Sequence, residues 1–244
     1  MTTHNNTTAA EIAKGIHRIS TYVPAGPPGG ITFNQFIIHG DEPLLFHTGT
    51  RQLFPDVRDC VATVFDPTSI RWISSGHASR PDEYGALREW ESLAPSATAT
   101  HGLTGCFVCL SDISTRPARP LTNGEIIDTG DHQLQWIDTP HVPGPWEAGV
   151  LFDQTTRTLF CGDLFSRTGP APATTTDGIA DAAIAHDQLM HGHAYTPHTA
   201  PTLRHLAALE PQQLALMHGP TYLGDCASQL NILADYFESQ LAAA

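Results

Sequence analysis

Four short stretches of the sequence each end a strand-like run with a side chain that can bind a metal ion. These four side chains are His77, His141, Asp163 and His218. Loops that follow strands are where a rigid sheet can hold several donor groups in convergence. Imidazole and carboxylate donors together suit zinc, iron or manganese, and no thiolate is required. The four stretches therefore predict a metal centre, although any one of these histidines alone would more often be an ordinary surface or core residue.

The segments that would position these residues alternate between strand-like and helix-like patterns. Strand patterns, apolar or rich in β-branched and aromatic residues, occur at residues 16–23, 31–38, 44–46, 71–75, 125–128, 134–137, 149–152, 158–161 and 214–217. Helical patterns occur at residues 54–65, 82–93, 178–191, 199–209 and 227–241. Two strand-rich halves, each followed by helices, predict an α/β sandwich with helices on both outer faces.

The composition is that of one globular, acidic chain. The chain has 244 residues, of which 41% are apolar and 15% charged, a balance typical of a folded domain. Its formal net charge is −13 with only 12 Lys and Arg residues, so no nucleic-acid or anionic membrane partner is expected. We predict a single domain over residues 13–244, preceded by a flexible N-terminus at residues 1–12.

The sequence lacks recognisable targeting signals. No apolar run reaches the length of a membrane span, and the polar first ten residues lack the basic and apolar regions of a signal peptide. The five cysteines are scattered and odd in number, which is typical of reduced thiols. Together these features predict a cytoplasmic protein.

Two further groupings have redox-like or metal-like spacing. Cys106 and Cys109 form a Cys-x-x-Cys pair, but their apolar neighbours and the lack of a second pair favour buried structural thiols. Four histidines at positions 186, 191, 193 and 198 resemble a metal tract. Their place in a helix and the loop after it favours solvated or substrate-facing side chains.

The ordered motifs resemble those of the metallo-β-lactamase superfamily. The likeness is closest to the diiron domain of flavodiiron proteins and to stand-alone oxygen-binding diiron proteins. It covers roughly residues 14–222, and the stretch at residues 30–37 is similar to the GTTYNAYLI strand of flavodiiron proteins. This resemblance implies an α/β fold of the αββα sandwich type, with two mixed β-sheets flanked by helices.

The resemblance also implies a set of ligands. The family's H-x-E-x-D-H motif, a later His, the Asp of a Gly-Asp turn and a His before Gly are matched by His77, Asp82, His141, Asp163 and His218. His77 and His141 would hold one metal ion, and Asp82 and His218 would hold the other. Asp163 would bridge the two ions and act as the central catalytic carboxylate.

The first motif departs from the family pattern. The family's Glu falls at Ser79, or opposite Arg80 if the gap in the alignment is placed earlier. The His that follows the Asp is replaced by Glu83. One metal position is therefore expected to lose a carboxylate, while Glu83 offers a carboxylate to the other.

Three neighbouring residues are predicted to support the centre. Tyr84 is predicted to donate a hydrogen bond to a metal-bound ligand, with a covering role as the alternative. His47 follows the strand at residues 44–46, and both His47 and Ser79 are predicted to orient ligands through hydrogen bonds. A plain loop histidine is the alternative for His47.

The leading functional hypothesis is a dimetal oxidoreductase that binds or reduces O2 or a related small oxidant. The resemblance favours iron over zinc or manganese. The chain continues only to Ala244, directly after the last predicted helix, so no flavin is expected in cis and an external electron donor is implied. A homodimer is an option that the resemblance leaves open.

Two other functions remain open at this level. A zinc-dependent hydrolase could use the same fold to activate water against an ester, thioester or lactam. A degenerate binding module could have kept the pocket while losing metal positions. Fold-level likeness alone does not separate these functions.

Overall fold

The computed structural model describes residues 6–144 and 146–243. Its strands are β1 (Thr7–Ala13), β2 (Ile16–Val23), β3 (Ile31–Ile38), β4 (Leu44–Phe46), β5 (Trp72–Ser74), β6 (Thr98–Gly102), β7 (Arg119–Leu121), β8 (Ile126–Asp128), β9 (Gln133–Asp138), β10 (Gly149–Asp153), β11 (Thr158–Phe160), β12 (Thr174–Thr175), β13 (Gln213–Ala215) and β14 (Thr221–Leu223). Its α-helices are α1 (Phe54–Val61), α2 (Pro81–Tyr84), α3 (Leu87–Leu93), α4 (Leu103–Gly105), α5 (Ser111–Ile113), α6 (Ala180–Met190), α7 (Thr199–Ala208) and α8 (Cys226–Ala243). A 3-10 turn at Pro67–Ser69 and a π-helical turn at Cys106–Leu110 complete the elements.

Two seven-stranded sheets form the centre of the molecule. The first runs in chain order from β1 to β7, and the second has the order β12-β14-β13-β11-β10-β9-β8. Both are mixed, because β4 pairs parallel with β5 in the first sheet and β11 pairs parallel with β13 in the second. The predicted αββα sandwich with two mixed sheets is confirmed.

Three apolar layers hold the sandwich together. Between the sheets, Phe36 and Phe46 of the first sheet meet Phe160 of the second at ring-centroid distances of 5.3 and 5.4 Å. A second layer packs α1 and α3 on the first sheet, and a third packs α6, α7 and α8 on the second. Burial of these faces is the main favourable contribution to folding.

The N-terminus differs from the expectation for residues 1–12. Thr7–Ala13 form β1, which pairs antiparallel with β2 at the edge of the first sheet, so the predicted flexibility is wrong for residues 7–12. An edge strand has one unpaired side facing solvent, and polar residues are common there. Only Ile12 of this strand is buried, which is why the sequence shows no strand pattern. Residues 1–5 lie outside the described residues.

The helix predicted over residues 82–93 is divided into α2 and α3. The break comes after Tyr84, where the Ala86 N–H donates to the Gly49 carbonyl oxygen at 3.0 Å instead of to the carbonyl four residues earlier. The short α2 can therefore turn Asp82 toward the centre of the molecule independently of α3. In the described part of the chain, no helix has both the length and the apolarity needed to cross a bilayer.

The turn between β10 and β11 is organised by one buried carboxylate. Asp153 accepts hydrogen bonds from the Thr155 N–H, from the backbone and hydroxyl of Thr156 and from His132 Nδ1, the last at 2.8 Å. Burial alone would raise the pKa of Asp153, but the hydrogen bonds from His132 and Thr156 outweigh burial and lower it. The ionised carboxylate is therefore favoured in the folded chain.

Asp153 is expected to stabilise the fold in a pH-dependent way. Because its folded pKa lies below its unfolded value, its contribution is present at neutral pH and is lost as pH falls below about 4. Asp153→Asn is expected to lower the free energy of unfolding by about 2 kcal/mol at pH 7, and by less at pH 3. Urea denaturation at both pH values measures this, with the exposed Asp59→Asn as control. An equal deficit at both pH values would contradict the assignment.

Candidate metal centre

The predicted site residues do follow strand ends in the structure. His77 comes shortly after β5, and Asp163 and His218 come shortly after β11 and β13. The turn before Asp163 depends on Gly162, whose φ of +53° lies in the left-handed region that side-chain-bearing residues adopt rarely. Asp82 reaches the same place from the first turn of α2.

Three of these residues place donor atoms close together. Among the described residues, Asp82, Asp163 and His218 form the one group whose possible ligand atoms all lie within 4.8 Å of one another. Asp163 and His218 are buried and Asp82 is half-buried. The Oδ1 atom of Asp163 is buried and accepts no hydrogen bond from any other described residue, and His218 Nε2 lies 3.2 Å away. An orphaned carboxylate oxygen beside an imidazole is well suited to bind a cation.

A hydrogen bond from the Nδ1 atom fixes the orientation of the His218 imidazole. Nδ1 donates to the Thr32 carbonyl oxygen at 2.9 Å, because a carbonyl can only accept, and this leaves Nε2 facing the two aspartates. Burial alone would lower the pKa of His218, but its contacts with Asp163 and Asp82 raise it to about 10. The carboxylates therefore attract a positive charge at Nε2, the position that a metal ion would take when the proton leaves.

The loop that carries His218 is held by a residue of β3. The buried Asn34 side chain donates to the carbonyl oxygens of Leu216 and Gly219, both at 2.7 Å. Asn34 lies in the stretch that resembles the flavodiiron strand. The sequence of that stretch does not indicate that Asn34 binds the loop of His218.

Arg80 also lies at the centre. Its Nη1 forms an ion pair with Oδ2 of Asp163. Burial alone would raise the pKa of Asp163, but His218 and Arg80 hold it well below its usual value. The sequence could name Arg80 only as a neighbour of the motif, because the ion pair joins two distant loops.

Glu83 lies outside the group of converging donors. Its Oε2 accepts hydrogen bonds from the backbone N–H groups of Gly76 and His77, at 2.7 and 2.8 Å. Burial, together with the charges of Asp163 and Asp82, raises the pKa of Glu83 well above its usual value. Glu83 thus fixes the loop after β5, a role different from the predicted ligand role.

His47 contacts Glu83. Its Nε2 lies 3.5 Å from Glu83 Oε2, and its Nδ1 donates to the Asn34 carbonyl oxygen at 3.3 Å. Burial lowers the pKa of His47 to about 4, so it is neutral at pH 7. His47 therefore contacts Glu83, the residue next to Asp82, and its predicted role of orienting a metal ligand stays a prediction.

His77 and Ser79 belong to a neighbouring cluster. His77 Nδ1 lies 3.0 Å from both Ser79 Oγ and Glu147 Oε1. Glu147 Oε2 is 3.5 Å from Nδ1 of the buried His101. A carboxylate on Nδ1 is how proteins orient a histidine whose Nε2 binds a metal. Ser79, a predicted orienting residue, and Glu147 therefore both contact the Nδ1 atom of His77 and can fix the direction of its ring.

His141 lies apart from the three converging donors. It is half-buried, with a φ of 67°, and its Nδ1 accepts a hydrogen bond from the Trp146 N–H at 3.0 Å. The predicted ligand His141 thus lies in a turn in which its imidazole is bound by the backbone N–H of Trp146. Residue 145, in the same loop, lies outside the described residues.

The predicted role of Tyr84 is wrong. Its hydroxyl donates to the Thr100 carbonyl oxygen at 2.7 Å, and the ring is 2% exposed in the core between the first sheet and α3. Burial raises the pKa of Tyr84 well above its usual value. The hydroxyl is therefore used to satisfy a strand carbonyl and is not directed at a metal-bound ligand.

A cavity of about 220 Å³ opens beside the three donors. Its lining also includes His186, Asp187 and His193. Asp187 is buried and accepts hydrogen bonds from His193 Nδ1 at 2.6 Å and from the hydroxyls of Tyr195 and Tyr236 at 2.5 and 3.0 Å. Two of the four clustered histidines, 186 and 193, are therefore pocket-facing, as the sequence favoured.

The donor set suits one metal ion. Two carboxylates and one imidazole whose Nδ1 atom is held by a hydrogen bond can bind a single iron, manganese or zinc ion. Coordination positions then stay open for a small ligand. The second position implied by the resemblance is not assembled, because His77 and His141 lie outside the group of converging donors and Arg80 pairs with Asp163. The described residues therefore do not fit a dinuclear centre.

The sequence is similar to diflavin flavoproteins of cyanobacteria. It is 28% identical over 143 residues to the putative diflavin flavoprotein A 1 of Nostoc sp. strain PCC 7120, which covers 57% of this chain and 24% of that protein. It is 27% identical over 199 residues to the putative diflavin flavoprotein A 6 of the same organism, covering 78% and 34% respectively. The chain thus spans about a quarter to a third of the length of these relatives.

The fold is that of flavodiiron core domains. The rubredoxin oxygen:oxidoreductase of Desulfovibrio gigas superposes with a TM-score of 0.81 at 17% identity, covering 95% of this chain and 62% of that one. The Flv1 flavodiiron core of Synechocystis sp. PCC6803 gives 0.82 at 20% identity, covering 97% and 62%. The sequence model of the ODP family beta lactamase matches residues 31–219, so the predicted relation is confirmed. The chain belongs to this metallo-β-lactamase-type family.

Proposed function

We propose that the chain is a metal-dependent oxidoreductase core that binds and reduces O2 or a related small oxidant. The observation that carries the proposal is the convergence of Asp82, Asp163 and His218 on the wall of a small cavity. A cavity of about 220 Å³ is smaller than the usual pocket for a drug-sized ligand, which favours a small molecule over a bulky ester or lactam.

The metal is proposed to be iron. The relatives with this fold include proteins named flavodiiron and oxygen:oxidoreductase. When bound, iron would supply the one-electron chemistry that ordinary side chains lack. Electrons would come from an external redox protein or from a flavin domain, as the name diflavin flavoprotein suggests for the sequence relatives.

The cavity-lining residues Asp187 and His193 are proposed to supply protons. Because the Asp187 carboxylate accepts from His193 Nδ1, the neutral imidazole presents Nε2 as an acceptor. This Nε2 is buried and has no hydrogen-bond partner in the described part of the chain. The hydroxyls of Tyr195 and Tyr236 hold the carboxylate in place. His193 can therefore take up a proton at Nε2 and release it into the cavity as the oxidant is reduced.

The proposal is tested by anaerobic loading with Fe²⁺, metal analysis and stopped-flow mixing of the reduced protein with O2. We expect bound iron and an optical band that appears on oxidation and bleaches with dithionite. Zinc in place of iron after growth with both metals, with no redox-sensitive band, would contradict the proposal and direct the search to hydrolysis.

His193→Gln is expected to slow the reaction with O2 about 100-fold at unchanged iron content, because a positioned proton donor is lost. The matched control is His198→Gln, an exposed histidine of the same segment, which should react at the normal rate. An unchanged rate in His193→Gln would remove His193 from the proposed proton route.

A further inference from the structure

Ser79 and Arg80 are the two residues that can align with a carboxylate ligand of the family. The family's first motif carries a Glu there, whereas this chain has a hydroxyl and a guanidinium. The hydroxyl of Ser79 contacts His77 Nδ1 at 3.0 Å. The position has therefore lost one negative charge and gained a guanidinium, which stays positive at all physiological pH values.

The guanidinium contacts Asp163 and lies in the same neighbourhood as the His77 imidazole. Its Nη1 pairs with Asp163, and its Nη2 lies 3.2 Å from the point where a β-carbon on Gly144 would be. His77 Nε2 lies 3.4 Å from the same point. Arg80 thus pairs with the carboxylate expected to bridge two ions, and its other terminal nitrogen lies near the imidazole expected to bind one of them.

The charged groups near the Arg80 guanidinium favour its position beside Asp163. The Arg80 side chain is 32% exposed and has Asp163, Glu83 and Asp82 as its charged neighbours. A second divalent ion between His77 and Asp163 would lie against the guanidinium, and like charges at such distances repel strongly where water is partly excluded.

We infer that the Arg80 guanidinium takes the place of the second cation of the dinuclear centre, so that each chain binds one metal ion on Asp82, Asp163 and His218. The inference rests on the proposed function for the presence of the first ion, and it departs from the two ions that the resemblance implies. Arg80 is in this sense a built-in counter-ion for Asp163.

The test is the number of ions bound by wild type and by Arg80→Glu, which restores the charge of the family's carboxylate. Each protein is stripped of metal, titrated with Zn²⁺ and, anaerobically, with Fe²⁺, and measured by calorimetry and metal analysis. We expect one ion per wild-type chain and a second ion in Arg80→Glu. After oxidation, the wild-type iron should give the electron paramagnetic resonance signal of an isolated ferric ion, whereas the variant should lose much of it through spin coupling.

Arg58→Ala, an exposed arginine on α1, serves as the matched control and should bind one ion. Circular dichroism of the metal-free proteins verifies that the variants fold. Two ions in the wild type, or one ion in a folded Arg80→Glu, would overturn the inference and leave the proposed function standing. No ion in the wild type would overturn both.

Discussion

Asp163→Ala protein is expected to retain no metal ion after gel filtration and to react with O2 no faster than metal-free wild type. Asp163 contributes an oxygen to the three converging donors and contacts both His218 and Arg80. Changes in residues that merely orient a ligand weaken metal binding 10- to 100-fold, so loss of the ligand itself should weaken it more than about 100-fold.

The same substitution is expected to affect stability without metal. It leaves the His218 imidazole and the Arg80 guanidinium without their shared carboxylate, and breaking a buried ion pair in this way costs about 3 kcal/mol. Calorimetric metal titration and urea denaturation of the metal-free proteins measure the two effects separately. Asp235→Asn, which removes an exposed carboxylate of α8, is the control. Normal metal content in a folded Asp163→Ala would contradict the assignment of Asp163 as a ligand.

Glu83→Ala is expected to lower the free energy of unfolding by about 4 kcal/mol. The carboxylate is fully buried, and its removal leaves the N–H groups of Gly76 and His77 without an acceptor. Each buried unsatisfied group costs about 1–3 kcal/mol. Glu83→Gln should lose only about 1 kcal/mol, because its amide oxygen can still accept and the raised pKa of Glu83 already favours a neutral side chain.

The Gln variant also separates the two roles considered for Glu83. If Glu83 only fixes the loop, Glu83→Gln should bind metal within a few-fold of wild type, as measured by calorimetric titration. Loss of metal from a stable Glu83→Gln protein would instead identify Glu83 as a ligand and restore the prediction made from the sequence.

Part of the centre was predictable because a short apolar strand followed by a donor residue can be recognised in the sequence alone. His77, Asp163 and His218 each follow a short apolar strand in the sequence. In the structure they come shortly after the ends of β5, β11 and β13. The strands β6 and β7 were not predicted. Their residues are Thr-Ala-Thr-His-Gly and Arg-Pro-Leu, which lack a clear alternation of apolar and polar side chains, and pairing with neighbouring strands determines their structure.

The roles that depend on contacts between distant segments were not predictable. Arg80 pairs with a carboxylate 83 positions further along the chain, and Glu147 lies 70 positions from the histidine that it orients. Tyr84 follows the donor segment directly, but the direction of its side chain depends on the carbonyl of Thr100. Neighbours in sequence are thus a poor guide to the direction in which a side chain points.

The donors of the centre come from both sheets. Asp82 follows a strand of the first sheet, whereas Asp163 and His218 follow strands of the second, and Asp82 and His218 are 136 positions apart. Neither half of the chain carries the whole set of donors. A split of the chain between the two halves would therefore leave the proposed metal donors on separate fragments, so that the centre can only be inherited together with the assembled sandwich.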